Sequence, residues 1–303
     1  MLKRLMGCLV MASLAIGFGG ATPAAADVQC DAVARVFAVD ATTGHLAEIR
    51  PCRTVRTWEF GPTVVVDRAD WRLYSAVFAM YDGDAAVLYA VTTTGELWWR
   101  RQDAPGAATG TPVRIAGDVD WRHDVVLATG PGYLALGDYD TPLRAYRHGG
   151  WTTGGTAVAQ DGVLFGTFHG PAVTAMGSGF AVGSWDGMHY RVWRNQSGAA
   201  HDDLWYPSGP LPAGVHEVTG DGTLLYGVRS GGEVVLLTQR QNIACRVANR
   251  ADWHVAAQAP GHFGRVVVPV GADTTPSVVP PPPVDPRLYP LCGGAQNSPW
   301  EWQ

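Results

Sequence analysis

LYAVTTTGELWWRRQ, residues 88–102, reads as two short strands joined by a turn. Leu88, Tyr89, Ala90 and Val91 are β-prone, residues 92–95 carry turn chemistry, and Leu97, Trp98, Trp99 and Arg100 run back. The same figure recurs as FAVDATTGHLAEIR (37–50), LALGDYDTPLRAYRH (134–148), FAVGSWDGMHYRVWRN (180–195) and LYGVRSGGEVVLLTQ (225–239). Counted from the first apolar residue, the copies begin at 37, 88, 134, 180 and 225, in steps of 51, 46, 46 and 45 residues.

Each hairpin lies within a longer unit. SAVFAM (75–80) precedes the second copy and TPVRIA (111–116) follows it, so a unit holds a lead strand, two hairpin strands and a trailing strand. The third unit has a lead at 124–130 and a trailing strand at 155–160. Leads for the fourth and fifth fall at 172–176 and 215–219, with 204–206 and 243–247 as candidate trailing strands. No segment has the period of a long amphipathic helix. Four strands repeating every 45 to 50 residues are the signature of a β-propeller, because a four-stranded sheet covers both its faces only by packing against its neighbours around an axis. The expectation is an all-β, five-bladed β-propeller with four-stranded blades over residues 27–270. The first hairpin has no lead strand in front of it, and 253–257 occupies a lead position with no complete unit behind it. Pairing of the N-terminal and C-terminal strands is therefore expected to close the ring, with RVVVPV (265–270) left as a surplus strand.

The ends of the chain differ in kind. Lys3 and Arg4, an apolar run over 5–18 and Ala24-Ala25-Ala26 form a signal-peptide pattern over 1–26, which predicts export. The formal charge of −5 becomes −7 once Lys3 and Arg4 are removed, so the basic field that a nucleic-acid partner requires is missing. Export leaves Cys30, Cys52, Cys245 and Cys292, an even set that favours two disulfides. Of three connectivities, Cys30–Cys52 is a natural clasp across the first hairpin, and elimination pairs Cys245 with Cys292. The spacing does not suit a metal, and no cofactor is implied. Residues 271–303 are rich in proline, including four in succession at 280–283, and are expected to form an appendage strapped across the propeller through Cys292, with a free, mobile tail as the alternative.

Leu88-Tyr89-Ala90-Val91, Leu225-Tyr226-Gly227-Val228 and the return strands Leu97-Trp98-Trp99-Arg100 and Tyr146-Arg147-His148 resemble the tachylectin-2-like five-bladed propeller lectins and their secreted bacterial relatives. That family places a glycine-tryptophan ahead of each lead strand. Here Asp70-Trp71, Asp120-Trp121 and Asp252-Trp253 stand there, with aspartate in place of glycine. The resemblance covers about residues 33–270. It implies binding of glycans such as N-acetylated hexosamines, with those three dipeptides as candidate sugar contacts. An indole face can stack on a pyranose while the adjacent carboxylate accepts hydroxyl hydrogen bonds. The bland reading is that each Trp plugs the gap between neighbouring blades while its Asp caps a turn.

Other motifs carry less. Trp98-Trp99-Arg100-Arg101 mixes aromatic and basic groups, but strand alternation sends one of each to either face, and a packed Trp beside a solvated Arg is expected. Neither a Gly-x-Ser-x-Gly nor a His-Glu-x-x-His frame occurs. Asp40, Asp138 and Asp186 occupy related hairpin positions, where a glycoside hydrolase would need converging carboxylates, although Asp is also a common turn residue. The reading is a secreted, monomeric, non-catalytic carbohydrate-binding propeller. An extracellular protein-interaction or cell-envelope scaffold is the alternative, and a glycoside hydrolase the third.

Overall fold

A computed structural model describes residues 29–30, 35–53, 57–115, 117, 119–138, 141–167, 172–176, 179–184, 187–192, 204–207, 211–220, 225–241 and 251–270. Residues 1–28 and 271–303, with Cys292 among them, and Cys245 and Asp186 lie outside them. The described chain is all-β apart from one turn of 3-10 helix, Trp71–Leu73. Among the described residues, no helix is long and apolar enough to cross a membrane.

The strands form antiparallel meanders of four. The second runs Tyr74–Asp82, Ala85–Thr92, Leu97–Gln102, Val113–Arg114, and the third Val125–Gly130, Tyr133–Gly137, Pro142–Gly149, Ala157–Thr167. The fourth is Ala172–Met176, Gly179–Ser184, Gly187–Val192, Leu204–Pro207, and the fifth Val215–Gly220, Leu225–Arg229, Val234–Gln241, Ala251–Ala259. A single parallel bridge, Met176 to Gly220, joins these last two.

The first meander departs from expectation. Its lead strand is Phe263–Val267, which pairs with Val36–Asp40 and is followed by Leu46–Ile49 and Val64–Asp67. Residues 253–257 instead lie within Ala251–Ala259, the outer strand of the fifth meander, in register with Val234–Gln241. The segment that seemed surplus is thus the lead strand. Its continuation, Pro269–Val270, pairs in parallel with Ala79 and Met80. Both segments are β-prone, and cross-strand register alone assigns them.

The buried strands explain the continuous apolar runs. Along Ala85–Thr92, Val87, Tyr89 and Val91 enter one core shared with the third meander, while Ala86, Leu88 and Ala90 enter another shared with the first. Val36 and Ala38 likewise join a core with Tyr226, Val228 and Leu236 of the fifth meander, and Phe37 and Val39 face the second. A sheet covered on both faces shows no polar alternation. The lead strands also run side by side in order: second beside third, third beside fourth, fourth beside fifth, fifth beside first and first beside second.

Gln29–Cys30, Pro51–Arg53 and Trp58–Phe60 form a separate three-stranded sheet. Cys52 is disulfide-bonded and stands directly across from Cys30 in register.

One buried histidine joins the second and third meanders. His148 Nε2 donates to the Gly155 carbonyl, so Nδ1 accepts from the Tyr89 hydroxyl at 2.7 Å. Burial lowers the His148 pKa below its ordinary 6.5, against an opposing contribution from the Gly155 hydrogen bond. The folded protein therefore binds fewer protons here than the unfolded chain just below pH 6.5. Stability from this site is complete above that pH and is lost as pH falls through it. Urea midpoints measured at neutral and acidic pH should drop more steeply for wild type than for His148→Gln, which keeps one donor and one acceptor. Equal slopes would refute the assignment.

Candidate functional site

The Asp-Trp dipeptides are the first candidates, and the structure uses two of them as latches. Trp71 opens the 3-10 turn, which Asp70 caps by accepting from the Arg72 backbone N–H at 3.1 Å. The same carboxylate takes Arg72 Nε and Nη2, each at 2.8 Å. Arg72 Nη1 then reaches the Thr42 carbonyl at 2.8 Å, and the Trp71 N–H donates to the Gly44 carbonyl at 2.8 Å, so the turn is fastened to the preceding hairpin. Gly44 sits at φ +76°, and a Cβ there would overlap the Asp70 carboxylate. One unit on, Asp120 and Arg122 repeat the carboxylate–guanidinium pairing and the Trp121 N–H donates to the Gly95 carbonyl at 3.3 Å, with φ +86° at the glycine. The Arg72 hydrogen bonds hold Asp70 down to about 2, and those of Arg122 do the same for Asp120.

Both indoles are buried, Trp71 at 0% exposure and Trp121 at 4%. Neither ring offers a face to a sugar, and the gap-filling role is the one the geometry supports. Asp252 and Trp253 do not precede a lead strand at all: they lie within Ala251–Ala259, opposite Arg240 and Gln239. At that junction Phe263 takes the place of the tryptophan, donating its N–H to the Gly232 carbonyl at 2.7 Å and burying its ring. Sequence reading missed it because no aspartate precedes it.

The hairpin aspartates are turn anchors. Asp40 accepts from Thr42 N at 2.9 Å and Thr43 N at 2.6 Å. Asp138 accepts from His123 Nδ1 at 3.0 Å and Asp124 N at 3.2 Å. Among the described residues no group of three His, Cys, Asp or Glu side chains could hold a metal ion.

A second candidate is a cleft of about 240 Å³ between Val64–Asp67 of the first meander and the segment that follows Leu97–Gln102 of the second. Asp67 and Arg100 form its polar floor. Their ion pair is 2.5 Å long and largely buried, with side-chain exposures of 8% and 12%. Asp67 Oδ2 also accepts from the Thr109 hydroxyl at 2.7 Å, and Oδ1 from the Ala69 N–H at 2.8 Å. The Arg100 guanidinium lies over the Trp71 ring, 5.3 Å from its centroid, so the latch tryptophan supports the cleft from below. Val65 forms an exposed apolar wall, and Arg68 lies at the rim. The expected solvated arginines are therefore paired: Arg100 with Asp67, and Arg101 with Asp82 and Asp103. Trp99 is packed, its Nε1 donating to the Trp151 carbonyl at 2.7 Å. In sequence the cleft is invisible, because Asp67 and Arg100 stand 33 residues apart and only the packing of two sheets unites them.

No protein-family model and no curated protein matches the chain. Solved structures similar to it include one from work on the de novo evolutionary emergence of a symmetrical protein shaped by folding constraints. It is 11% identical with a TM-score of 0.49, and the match covers 78% of this chain and 99% of that one. Aleuria aurantia lectin in complex with α-methyl-L-fucoside is 14% identical with a TM-score of 0.32, covering 77% and 80%. A putative 6-phosphogluconolactonase from Bacteroides uniformis is 13% identical with a TM-score of 0.34, covering 74% and 68%. At these identities and TM-scores the likenesses assign no function.

Proposed function

We propose that the chain is an exported, monomeric, non-catalytic five-bladed β-propeller of the tachylectin-2-like kind that binds carbohydrate in the cleft between adjacent blades. The cyclic order of the lead strands, with Phe263–Val267 completing the first meander, supports the closed ring. A Cys30–Cys52 bridge clasps the N-terminal segment, and Cys245–Cys292 ties the tail.

The cleft is the observation that carries the binding reading. The Arg100 guanidinium and the Thr109 hydroxyl, both held in place by Asp67, lie beside an exposed apolar wall, with Val65 at 46% exposure. Pyranoses are recognised by that combination, since their C–H face needs an apolar surface and their hydroxyls need oriented polar groups. At about 240 Å³ the cleft falls below the roughly 300–1,000 Å³ of drug-sized sites, which suits one terminal sugar ring. The mature protein, residues 27–303, is expected to bind on a glycan array. Val65→Trp, which fills the mouth of the cleft from an exposed position, is expected to weaken that binding at least about tenfold, the loss of one well-placed contact set. Wild type that binds no glycan would overturn the reading.

A scaffold without a sugar site is the second reading. The burial of Trp71 and Trp121 favours it, because the residues that the resemblance offers as sugar contacts are spent on packing.

A further inference from the structure

Resting on the carbohydrate reading, we propose that the cleft selects an acidic sugar, a terminal uronic acid, whose carboxylate pairs with Arg68. The charges that line the cleft decide this. Asp67 has both oxygens engaged, by Arg100 and Thr109 on one and by the Ala69 N–H on the other. It is poorly placed to act as the principal acceptor for a ligand's hydroxyls. Arg100 is neutralised by that same carboxylate and held against the Trp71 ring. Arg68 has no hydrogen bond or ion pair among the described residues, and it lines the same cleft. Asp67, Arg68 and Arg100 together leave one net positive charge at the rim, carried by a planar fork that matches a carboxylate bidentately.

On the apolar side of the cleft, Val65 and Ala108 are both exposed. Val65 and Ala108 flank a space that fits one ring. A uronate offers its ring C–H face to Val65, its ring hydroxyls to Thr109 and Arg100, and its carboxylate outward to Arg68. A neutral N-acetylated hexosamine would leave Arg68 without a partner.

Arg68 is exposed, so its replacement is not expected to disturb folding. The test is a glycan array carrying glucuronate- and galacturonate-terminated glycans beside neutral galactose and N-acetylglucosamine termini, read with wild type and Arg68→Gln. Uronate-terminated glycans should bind wild type best, and Arg68→Gln should weaken them by about tenfold to a hundredfold, the range of a charge-assisted hydrogen bond. Raising the salt concentration should weaken the wild-type signal as well. Equal or stronger binding of neutral termini, or uronate binding that Arg68→Gln leaves unchanged, would overturn the acidic-sugar inference while leaving carbohydrate binding intact. No binding to any glycan would overturn both.

Discussion

Trp71→Ala is expected to destabilise the fold by about 3–5 kcal/mol, the usual cost of emptying a buried tryptophan site. The ring is fully buried, packs edge-on against Tyr74 with centroids 5.4 Å apart, and joins the core shared by the first two meanders. Arg100 rests on its face, so the cavity would also loosen the floor of the cleft. Against a typical total stability of about 5–15 kcal/mol, a loss of this size removes at least about a fifth of it. Trp71→Phe should cost much less, because the Trp71 Nε1–H has no acceptor among the described residues and its removal breaks no hydrogen bond. Urea unfolding of the three proteins checks this. If Trp71→Ala kept the wild-type midpoint and lost only glycan binding, the tryptophan would be a recognition residue and the packing account would fail.

Glu48→Ala is expected to cost a similar amount, about 3–5 kcal/mol, because it removes one member of a buried ionic network. Glu48 is 1% exposed. Its Oε1 accepts from Arg50 Nε at 2.8 Å, and its Oε2 from Gln102 Nε2 and the Gly106 N–H, both at 2.7 Å. Gln102 in turn accepts from Arg35 Nη1 at 3.0 Å, while the Arg35 backbone N–H donates to the Tyr81 hydroxyl at 2.7 Å. Removing the carboxylate takes an acceptor from three donors, the Gly106 N–H among them, and takes away a negative charge that offsets the desolvation of the buried Arg35 guanidinium. Arg35→Met in the same background should recover part of the loss, since a buried charge without its counter-ion is then replaced by an apolar chain of similar length. Additive losses in the double variant, measured by denaturant unfolding, would show that the two side chains are not coupled.

Both variants depend on contacts that span meanders, and this separates what could be read in the sequence from what could not. The hairpin figure at 88–102 and its copies were legible because a turn and its two flanking strands are local. Continuous apolar runs such as Leu88 to Val91 are equally local signs of strands buried on both faces. The assignment of 253–257 and 263–267 was not local. Both segments are β-prone, and only register with Val234–Gln241 and Val36–Asp40 decides which is the outer strand and which the lead.

The candidate sites follow the same division. Asp70-Trp71 and Asp120-Trp121 stand out in sequence, and their capping role is local, yet the burial of the indoles depends on the hairpin of the preceding unit. Asp252-Trp253 carries the same two letters without the arginine that follows the others, and it takes up a different place. Arg100 was visible as a charged residue on a strand, but its meaning came from Asp67.

The sequence by itself thus determined the strand-rich character of the chain, its repeated hairpins and the positions of its turns, because each is set by a few neighbouring residues. Only the tertiary structure decided which strand leads the first meander, that two tryptophans are packed away, and that Asp67, Arg68 and Arg100 line one cleft. Those outcomes depend on which sheet faces cover one another, and the packing of distant segments settles that.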